Sequence, residues 1–211
     1  MKVVAFNGSP HKEGNTFHSL QVVGQELTAA GIEFEIVQVG SSSLRGCTAC
    51  NGCARNKNEQ CVLPGDELNN WIQKRKEADG ILLGSPVHYA GIGATMKCFL
   101  DRAFYVAGVN GGLLRHKVGA SVVAVRRSGG SSTFDALNHY ITYSEMLLPG
   151  SNYWNIAHGT TPGEVLQDEE GLQLLRVLGR NMAWLLKALD ASKELVPPPS
   201  AEKKIFTNFI R

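Results

Sequence analysis

No run of apolar residues in this 211-residue chain approaches the roughly 20 that a helix needs to cross a bilayer. Neither sign of charge is in marked excess, because 21 lysines and arginines face 19 aspartates and glutamates. The basic residues are scattered, so nothing draws the chain to nucleic acid or to an anionic membrane surface. We therefore expect no nucleic-acid partner and no membrane partner.

Cysteine is scarce and unevenly placed: there are five, and four of them lie within residues 47–61. The first residues enter a strand pattern directly, without the charged, apolar and small-residue zones of a signal peptide. We therefore expect a cytoplasmic protein in which the clustered cysteines serve metal or redox chemistry rather than disulfide bonds.

Apolar runs and helical patterns alternate along the chain. Three of the runs are apolar on both faces, which is typical of strands in a parallel sheet that helices cover on both sides. Five alternations predict an α/β fold, a three-layer, doubly wound parallel five-stranded sheet with right-handed crossovers. The predicted strands are residues 3–6, 34–39 (an edge), 81–83, 122–125 and 152–157, and the predicted helices are 16–30, 66–76, 96–107, 134–147 and a long last helix containing 175–189.

Length and pattern predict one domain over residues 1–195 and a tail over residues 196–211. Three prolines at 197–199 cannot continue a helix, because they fix φ and remove backbone donors. We expect the tail to pack on the domain or on a partner subunit, since it is too apolar for a free linker. Its apolar residues are Ile205, Phe206, Phe209 and Ile210.

Side chains outside the candidate site receive plain structural interpretations. Trp71 and Trp184 are expected to fill the interface between helices and sheet. The basic run at residues 74–76 is expected to form a solvated helix end.

The first candidate site follows the first strand. Residues 8–16 read Gly-Ser-Pro-His-Lys-Glu-Gly-Asn-Thr, and a helical pattern begins at Thr16. Hydroxyl and amide donors beside a helix N-terminus predict a site for a phosphate monoester. The loop lacks the Gly-Lys-Ser/Thr ending of a P-loop and the GxGxxG of a dinucleotide turn. Thr16 taken alone has a plainer interpretation, as a simple N-cap.

Two further loops follow buried strands and should reach the same edge of the sheet. In residues 84–91, His88 and Tyr89 can flank a flat ring. In residues 126–133, glycine and hydroxyl groups can hydrogen-bond the edge of a heterocycle, and an arginine can offset negative charge. The plainer alternatives are an ordinary strand-to-helix connection and a solvated pair of arginines.

Together, GSPHKEGNT, SPVHY and RRSGG make the chain resemble the flavodoxin-like NAD(P)H-dependent FMN reductase family over almost its whole length. Within that family it is most similar to the group that includes the iron–sulfur flavoproteins. The resemblance implies a strand order of 2-1-3-4-5 and a bound FMN. The residues it implies for FMN are Ser9, His11, Asn15, Thr16 and Phe17 in the first loop, and Pro86, Val87, His88, Tyr89, Arg126, Gly129 and Gly130 around the isoalloxazine. His11 stands where the family often has an arginine.

The resemblance further implies an oxidoreductase in which electrons pass from NAD(P)H through FMN to a small-molecule or protein acceptor. Because the flavin carries this chemistry, we predict no catalytic acid, base or nucleophile in the chain. The alternative is a flavodoxin-like electron carrier that never meets nicotinamide and is served by a protein such as ferredoxin. A homodimer or homotetramer is expected.

The four clustered cysteines follow the spacing Cys47-x2-Cys50-x2-Cys53-x7-Cys61. So compact a run can place four sulfurs around a cubane of iron and sulfide, whereas zinc normally takes two pairs from separated turns. The similar loop of the iron–sulfur flavoproteins also implies a [4Fe-4S] cluster. The plainer alternative is inherited sequence whose thiols are packed or idle.

Overall fold

A computed structural model describes residues 1–207 and residue 209 of the chain. No helix in this described part is both long enough and apolar enough to span a membrane. The strands are β1 (Lys2–Asn7), β2 (Glu33–Gln38), β3 (Gly80–His88), β4 (Gly91–Ile92), β5 (Val118–Val125) and β6 (Ile156–His158). The helices are α1 (Asn15–Ala29), α2 (Gly52–Asn56), α3 (Leu68–Glu77), α4 (Ala94–Val109), α5 (Gly130–Tyr143) and α6 (Glu169–Ser192).

Five parallel strands form the sheet in the order β2-β1-β3-β5-β6. Counted among the parallel strands alone, this is the predicted order 2-1-3-4-5, so the predicted topology is confirmed. The short β4 was not predicted, and it runs antiparallel to the end of β3. The predicted strand at 152–157 is wrong in its bounds, because Tyr153 and Trp154 are exposed and only Ile156–His158 pairs with β5.

Helices cover both faces of the sheet and enclose two apolar cores. On one face α1 packs against α6, with Leu20, Leu178 and Met182 among the buried residues. On the other face α3, α4 and α5 surround Phe6 and Phe99, whose stacked rings have centroids 4.7 Å apart. A parallel sheet covered on both faces leaves the carboxyl ends of its strands together at one edge, where ligands of this architecture bind.

Two side-chain expectations are wrong. Trp184 is 71% exposed, because it lies on the outer side of α6. Arg75 is 1% exposed, since consecutive helical residues point in different directions and this one points inward. Its guanidinium donates to the carbonyl of Ala103 at 2.7 Å and lies 4.9 Å from the ring centroid of Phe104, and burial lowers its pKa to about 9. Trp71 is buried, as predicted.

The tail follows α6 without regular secondary structure in its described part. Its Lys204 donates to the hydroxyl of Tyr143 at 2.8 Å. Three of the apolar residues expected to pack are exposed, namely Ile205, Phe206 and Phe209, and Ile210 lies outside the described residues. Packing of the tail on the domain or on a partner therefore stays a prediction.

Candidate functional site

The phosphate loop (residues 8–16) is held by polar side chains at the ends of two strands. Asn7, the last residue of β1, pairs in register with Gln38 of β2 and with Gly84 of β3. Its amide donates to Gln38 Oε1 at 2.7 Å, and its Oδ1 accepts the N–H of Ser9 at 3.1 Å. Gln38 donates to the carbonyl of Ser9 at 2.7 Å. Sequence reasoning missed Gln38, whose only signal is a polar residue at the carboxyl end of an edge strand.

Backbone contacts draw the phosphate loop against its neighbours. The N–H of Gly8 donates to the carbonyl of Gly84 at 2.8 Å. A Cβ on Gly40, just beyond β2, would lie 2.2 Å from the carbonyl oxygen of Ser9. The chain just after β1 therefore meets Gly84 of β3 and Gly40, just after β2, backbone to backbone, with no room for a side chain on Gly8 or Gly40.

The N-terminus of α1 is open to an anion. Its N-cap, Gly14, supplies no side-chain acceptor, and the first turn carries no acidic residue. The Thr16 hydroxyl is buried, yet its Oγ1 has no hydrogen-bond partner within the described residues. A buried polar group without a partner costs about 1–3 kcal/mol, which a ligand acceptor would recover. The loop therefore fits a phosphate group, and the simple N-cap interpretation of Thr16 is wrong.

The other residues predicted for the phosphate are placed unequally around this opening. Ser9 is buried, and its Oγ accepts the N–H of His11 at 3.1 Å. His11 is exposed, and Phe17 is half-buried. Asn15 turns its Oδ1 toward the N–H of Val165, at 3.3 Å, in the segment after β6. The Thr16 hydroxyl and the backbone N–H groups of α1 are thus the donors best placed for an anion.

The second predicted loop (residues 84–91) is wrong in its bounds, because residues 84–88 belong to β3 and only the tight hairpin that joins β3 to β4 remains. Its tip residues, Tyr89 and Ala90, have positive φ values of 46° and 59°. Such a pair of values is typical of a type I′ turn and is costly for a residue with a bulky side chain. The Tyr89 ring is fully exposed, while Pro86 and Val87 are half-buried and His88 is exposed. The hairpin thus presents an aromatic ring at the edge of the site.

Gly129, the N-cap of α5, joins the third predicted loop to this hairpin. Its φ is +86°, and a Cβ there would lie 2.7 Å from the Cα of Ala90. Ser132, in the first turn of α5, donates to the carbonyl of Ala90 at 2.7 Å. Gly130 is buried and Arg126 is exposed. The second and third loops are therefore in contact, and they bring the N-terminus of α5 to the same edge as the phosphate loop.

A cleft of about 320 Å³ lies between the third loop, the segment that leads into β6 and the N-terminus of α6. Arg127, Trp154 and His158 line it, together with Asp168 at the N-cap of α6. Asp168 accepts the N–H of Gly171 at 3.0 Å and the N–H of His158 at 2.7 Å. Two of the lining residues, Gly129 and Gly130, are among those predicted to surround the isoalloxazine, whereas the walls that come from distant segments of the chain were not predicted.

The four clustered cysteines line one small pocket in the cysteine segment (residues 45–63). Cys47 and Cys50 are exposed, Cys61 is half-buried and Cys53 is buried. A hydrogen bond from the backbone of Gly52 lowers the pKa of the Cys50 thiol, whereas burial raises the pKa of Cys53. The segment contains only the short helix α2, so contacts from outside must hold it in place.

Side chains of α3 and α4 supply these contacts. Asn69 donates to the carbonyl of Cys61 at 2.9 Å and accepts its N–H at 2.8 Å. The Tyr105 hydroxyl donates to Oδ1 of Asn51 at 2.6 Å. Arg102 donates from Nε and Nη2 to the sulfur of Cys61, both at 3.4 Å. Sequence reasoning missed all three, although an arginine on the apolar stripe of a helix is a visible signal.

The donor set matches a polynuclear group better than a single ion. Within residues 1–207 and 209, no three His, Cys, Asp or Glu side chains converge closely enough to hold one metal ion. The described lining of the pocket nevertheless gathers four thiols and no carboxylate. Thiolates are the ligands of iron–sulfur clusters, and a cubane separates its ligands more widely than one tetrahedral ion does. In their chemistry the residues fit such a cluster, onto which Cys47 and Cys50 would have to close.

The strand order and the loops at the carboxyl edge of the sheet define a flavodoxin-like fold, whose open helix N-terminus can accept an anion. Residues 1–161 match the family model of NADPH-dependent FMN reductases, and the chain belongs to this family. It is therefore a flavin-dependent oxidoreductase of an FMN-binding family whose electron donor is NAD(P)H.

Relatives agree with this assignment. An iron–sulfur flavoprotein of Methanocaldococcus jannaschii is 33% identical to this chain, over 90% of the chain and 99% of its own length. An iron–sulfur flavoprotein of Methanosarcina thermophila is 29% identical, over 84% of the chain and 95% of its own length. The predicted relation to the iron–sulfur flavoproteins is confirmed.

Two solved structures are similar in fold. RosB, bound to 8-demethyl-8-formylriboflavin-5′-phosphate, superposes with a TM-score of 0.71 at 17% identity, covering 100% of this chain and 94% of its own. An NAD(P)H:quinone oxidoreductase from Methanothermobacter marburgensis superposes with a TM-score of 0.61 at 16% identity, covering 86% of this chain and 96% of its own. At such identities the similarity concerns the fold alone, and it confirms the predicted flavodoxin-like architecture.

Proposed function

We propose that this chain binds FMN at the phosphate loop and carries electrons from NAD(P)H through it to a small-molecule or protein acceptor. The observation that supports this most directly is the buried Thr16 hydroxyl, which has no partner among the described residues and lies at an open helix N-terminus. Family membership supplies the identity of the phosphorylated ligand. FMN, when bound, supplies the redox chemistry.

The chain itself positions the ligand and sets its electrostatic surroundings. Thr16 and the N–H groups of α1 would hold the phosphate, whose negative charge the helix dipole favours. The hairpin with Tyr89 and the loop with Gly129 would border the ring on one side. The N-terminus of α5 and the exposed Arg126 would stabilise negative charge on the ring. No side chain is required as a general acid or base.

The test mixes the protein with FMN and then adds NADH or NADPH without oxygen. Uptake of FMN followed by bleaching of its yellow absorption by either nucleotide supports the proposal. Flavin that stays yellow with both nucleotides, yet is reduced by ferredoxin, would identify an electron carrier instead. A protein that takes up no FMN rejects the site.

We propose in addition that Cys47, Cys50, Cys53 and Cys61 hold a [4Fe-4S] cluster. Four thiols in one pocket support this, and so does the similarity to the iron–sulfur flavoproteins. Anaerobic reconstitution should give about four irons and four sulfides per chain. C61S should lose them, whereas C98S, outside the pocket, should keep them. Wild-type protein without iron and sulfide after reconstitution would reject the cluster.

We also propose that the tail packs against a second copy of the chain in a homodimer or homotetramer. The exposed Ile205, Phe206 and Phe209 support this, since grouped exposed apolar side chains mark interaction sites. Deletion of residues 196–211 should change the mass measured by light scattering or lower the midpoint of thermal unfolding. No change in either quantity would reject the proposal.

A further inference from the structure

Arg102 is a buried cation placed against the cysteine segment. It lies on α4 with 1% of its surface exposed, between residues of the apolar stripe. Its Nη1 pairs with the carboxylate of Asp66, whose side chain is only 7% exposed. A guanidinium stays protonated at any pH that a folded protein meets, so Arg102 brings a permanent positive charge to these partners.

The guanidinium contacts both ends of the cysteine segment at once. Its Nη1 donates to the carbonyl of Arg45, at 3.3 Å, before the first cysteine. Its Nη2 donates to the carbonyl of Leu63, at 3.4 Å, after the last one. Between these contacts, Nε and Nη2 both donate to the sulfur of Cys61. The planar guanidinium thus connects the two ends of the cysteine segment and directs two N–H groups at one sulfur.

We propose that Arg102 is a positioning residue that fixes the Cys61 sulfur and makes the iron–sulfur group easier to reduce. This inference rests on the proposed cluster. Hydrogen bonds to a ligand sulfur and nearby positive charge stabilise the more negative, reduced state, so they raise the reduction potential. Asp66 opposes the effect through its charge, since a carboxylate disfavours added negative charge.

A merely structural arginine would behave differently. It would affect stability and iron content, but the potential of any cluster that still formed would depend neither on the hydrogen bonds from residue 102 nor on the charge of residue 66. Lysine keeps the charge at position 102 but loses the fork, and so cannot make both hydrogen bonds to one sulfur while pairing with Asp66. Asparagine at position 66 removes the opposing charge and leaves the arginine in place.

The experiment compares wild type, R102K, D66N and R180K. Arg180 is a matched control, because it pairs with Glu26 at the surface on the opposite face of the sheet. Iron and sulfide are quantified after reconstitution, and the potentials of the cluster and of the bound flavin are measured separately in the same samples. We expect a more negative cluster potential in R102K, a less negative one in D66N, and no change in R180K. The flavin potential should stay constant in all four.

The outcomes separate this inference from the proposal beneath it. Wild-type protein that takes up no iron rejects the cluster itself, and the role of Arg102 with it. If R102K takes up the cluster and its potential equals that of wild type, the proposed role of Arg102 is rejected, while the proposed cluster is not. If R102K binds FMN but takes up no iron, the positioning role is supported. The effect on the reduction potential is then tested by comparing D66N with wild type. A D66N potential at or below that of wild type overturns the inference.

Discussion

The phosphate loop and the cysteine segment are held in place in opposite ways. The loop is fixed by close backbone contacts at Gly8 and Gly40, and by the Asn7–Gln38 pair at the ends of β1 and β2. The segment has little structure of its own and is fixed from outside by Arg102 and Asn69. We therefore expect the phosphate loop to be formed before its ligand arrives, and the cysteine segment, with two exposed thiols, to close only when its ligand binds.

The largest expected effect comes from removing the outside support. R102M leaves Asp66 as a buried carboxylate without its cation, so the free energy of unfolding should fall by about 3–5 kcal/mol. Urea unfolding measures this. R180M, which removes a surface pair with Glu26, should leave the free energy of unfolding almost unchanged. Equal losses in the two variants would contradict the view that the buried pair supports the segment.

The second prediction challenges the backbone-held loop. In G40A the new methyl group would lie 2.2 Å from the carbonyl oxygen of Ser9, so the loop must move. Such overpacking should cost about 1–3 kcal/mol of stability and, by displacing the loop, at least roughly tenfold in FMN affinity. Gly108 is the matched control, because its Cβ would meet nothing within 4 Å. Unchanged FMN binding in G40A, measured by fluorescence quenching, would show that the loop tolerates displacement.

A third, smaller effect concerns the backbone of Cys61. N69A removes two hydrogen bonds to it and should lower the free energy of unfolding by about 1–2 kcal/mol, with faster hydrogen exchange confined to residues 45–63. N70A, at the neighbouring residue, removes only an exposed hydrogen bond to Glu67 and should leave hydrogen exchange in residues 45–63 unchanged. Exchange that rises equally in N69A and N70A would contradict the assignment.

The variant T16V should change stability least, yet it should clearly weaken FMN binding. T16V removes a buried hydroxyl that has no partner in the described chain, so stability should stay constant within about 0.5 kcal/mol or rise. FMN affinity should fall about tenfold, because a hydrogen bond to a charged phosphate is lost. T142V, at an exposed hydroxyl on α5, should leave affinity unchanged. Equal FMN affinity in T16V and wild type would show that Thr16 does not bind the phosphate.

Much of the architecture was predictable because its signals are local. Buried strands without alternation and helices with apolar stripes do not depend on distant partners, so the layers were predictable from local signals and were confirmed. The strand order, which the family resemblance implied, was confirmed as well. The weakly patterned strand near residue 156 was misplaced, since only pairing with β5 defines it. Arg75 and Trp184 were misjudged because the inward face of a helix depends on what packs against it.

The sequence alone determined the alternation of strands and helices, the chemistry of the three loops and the presence of four thiols within fifteen residues. Tertiary structure alone decided that Thr16 would be buried without a partner, that the second and third loops would touch, and that Arg102 would face Cys61. The physical reason is distance along the chain. Propensity and periodicity act between near neighbours, whereas burial and hydrogen bonding at a site join residues that only the completed fold brings together.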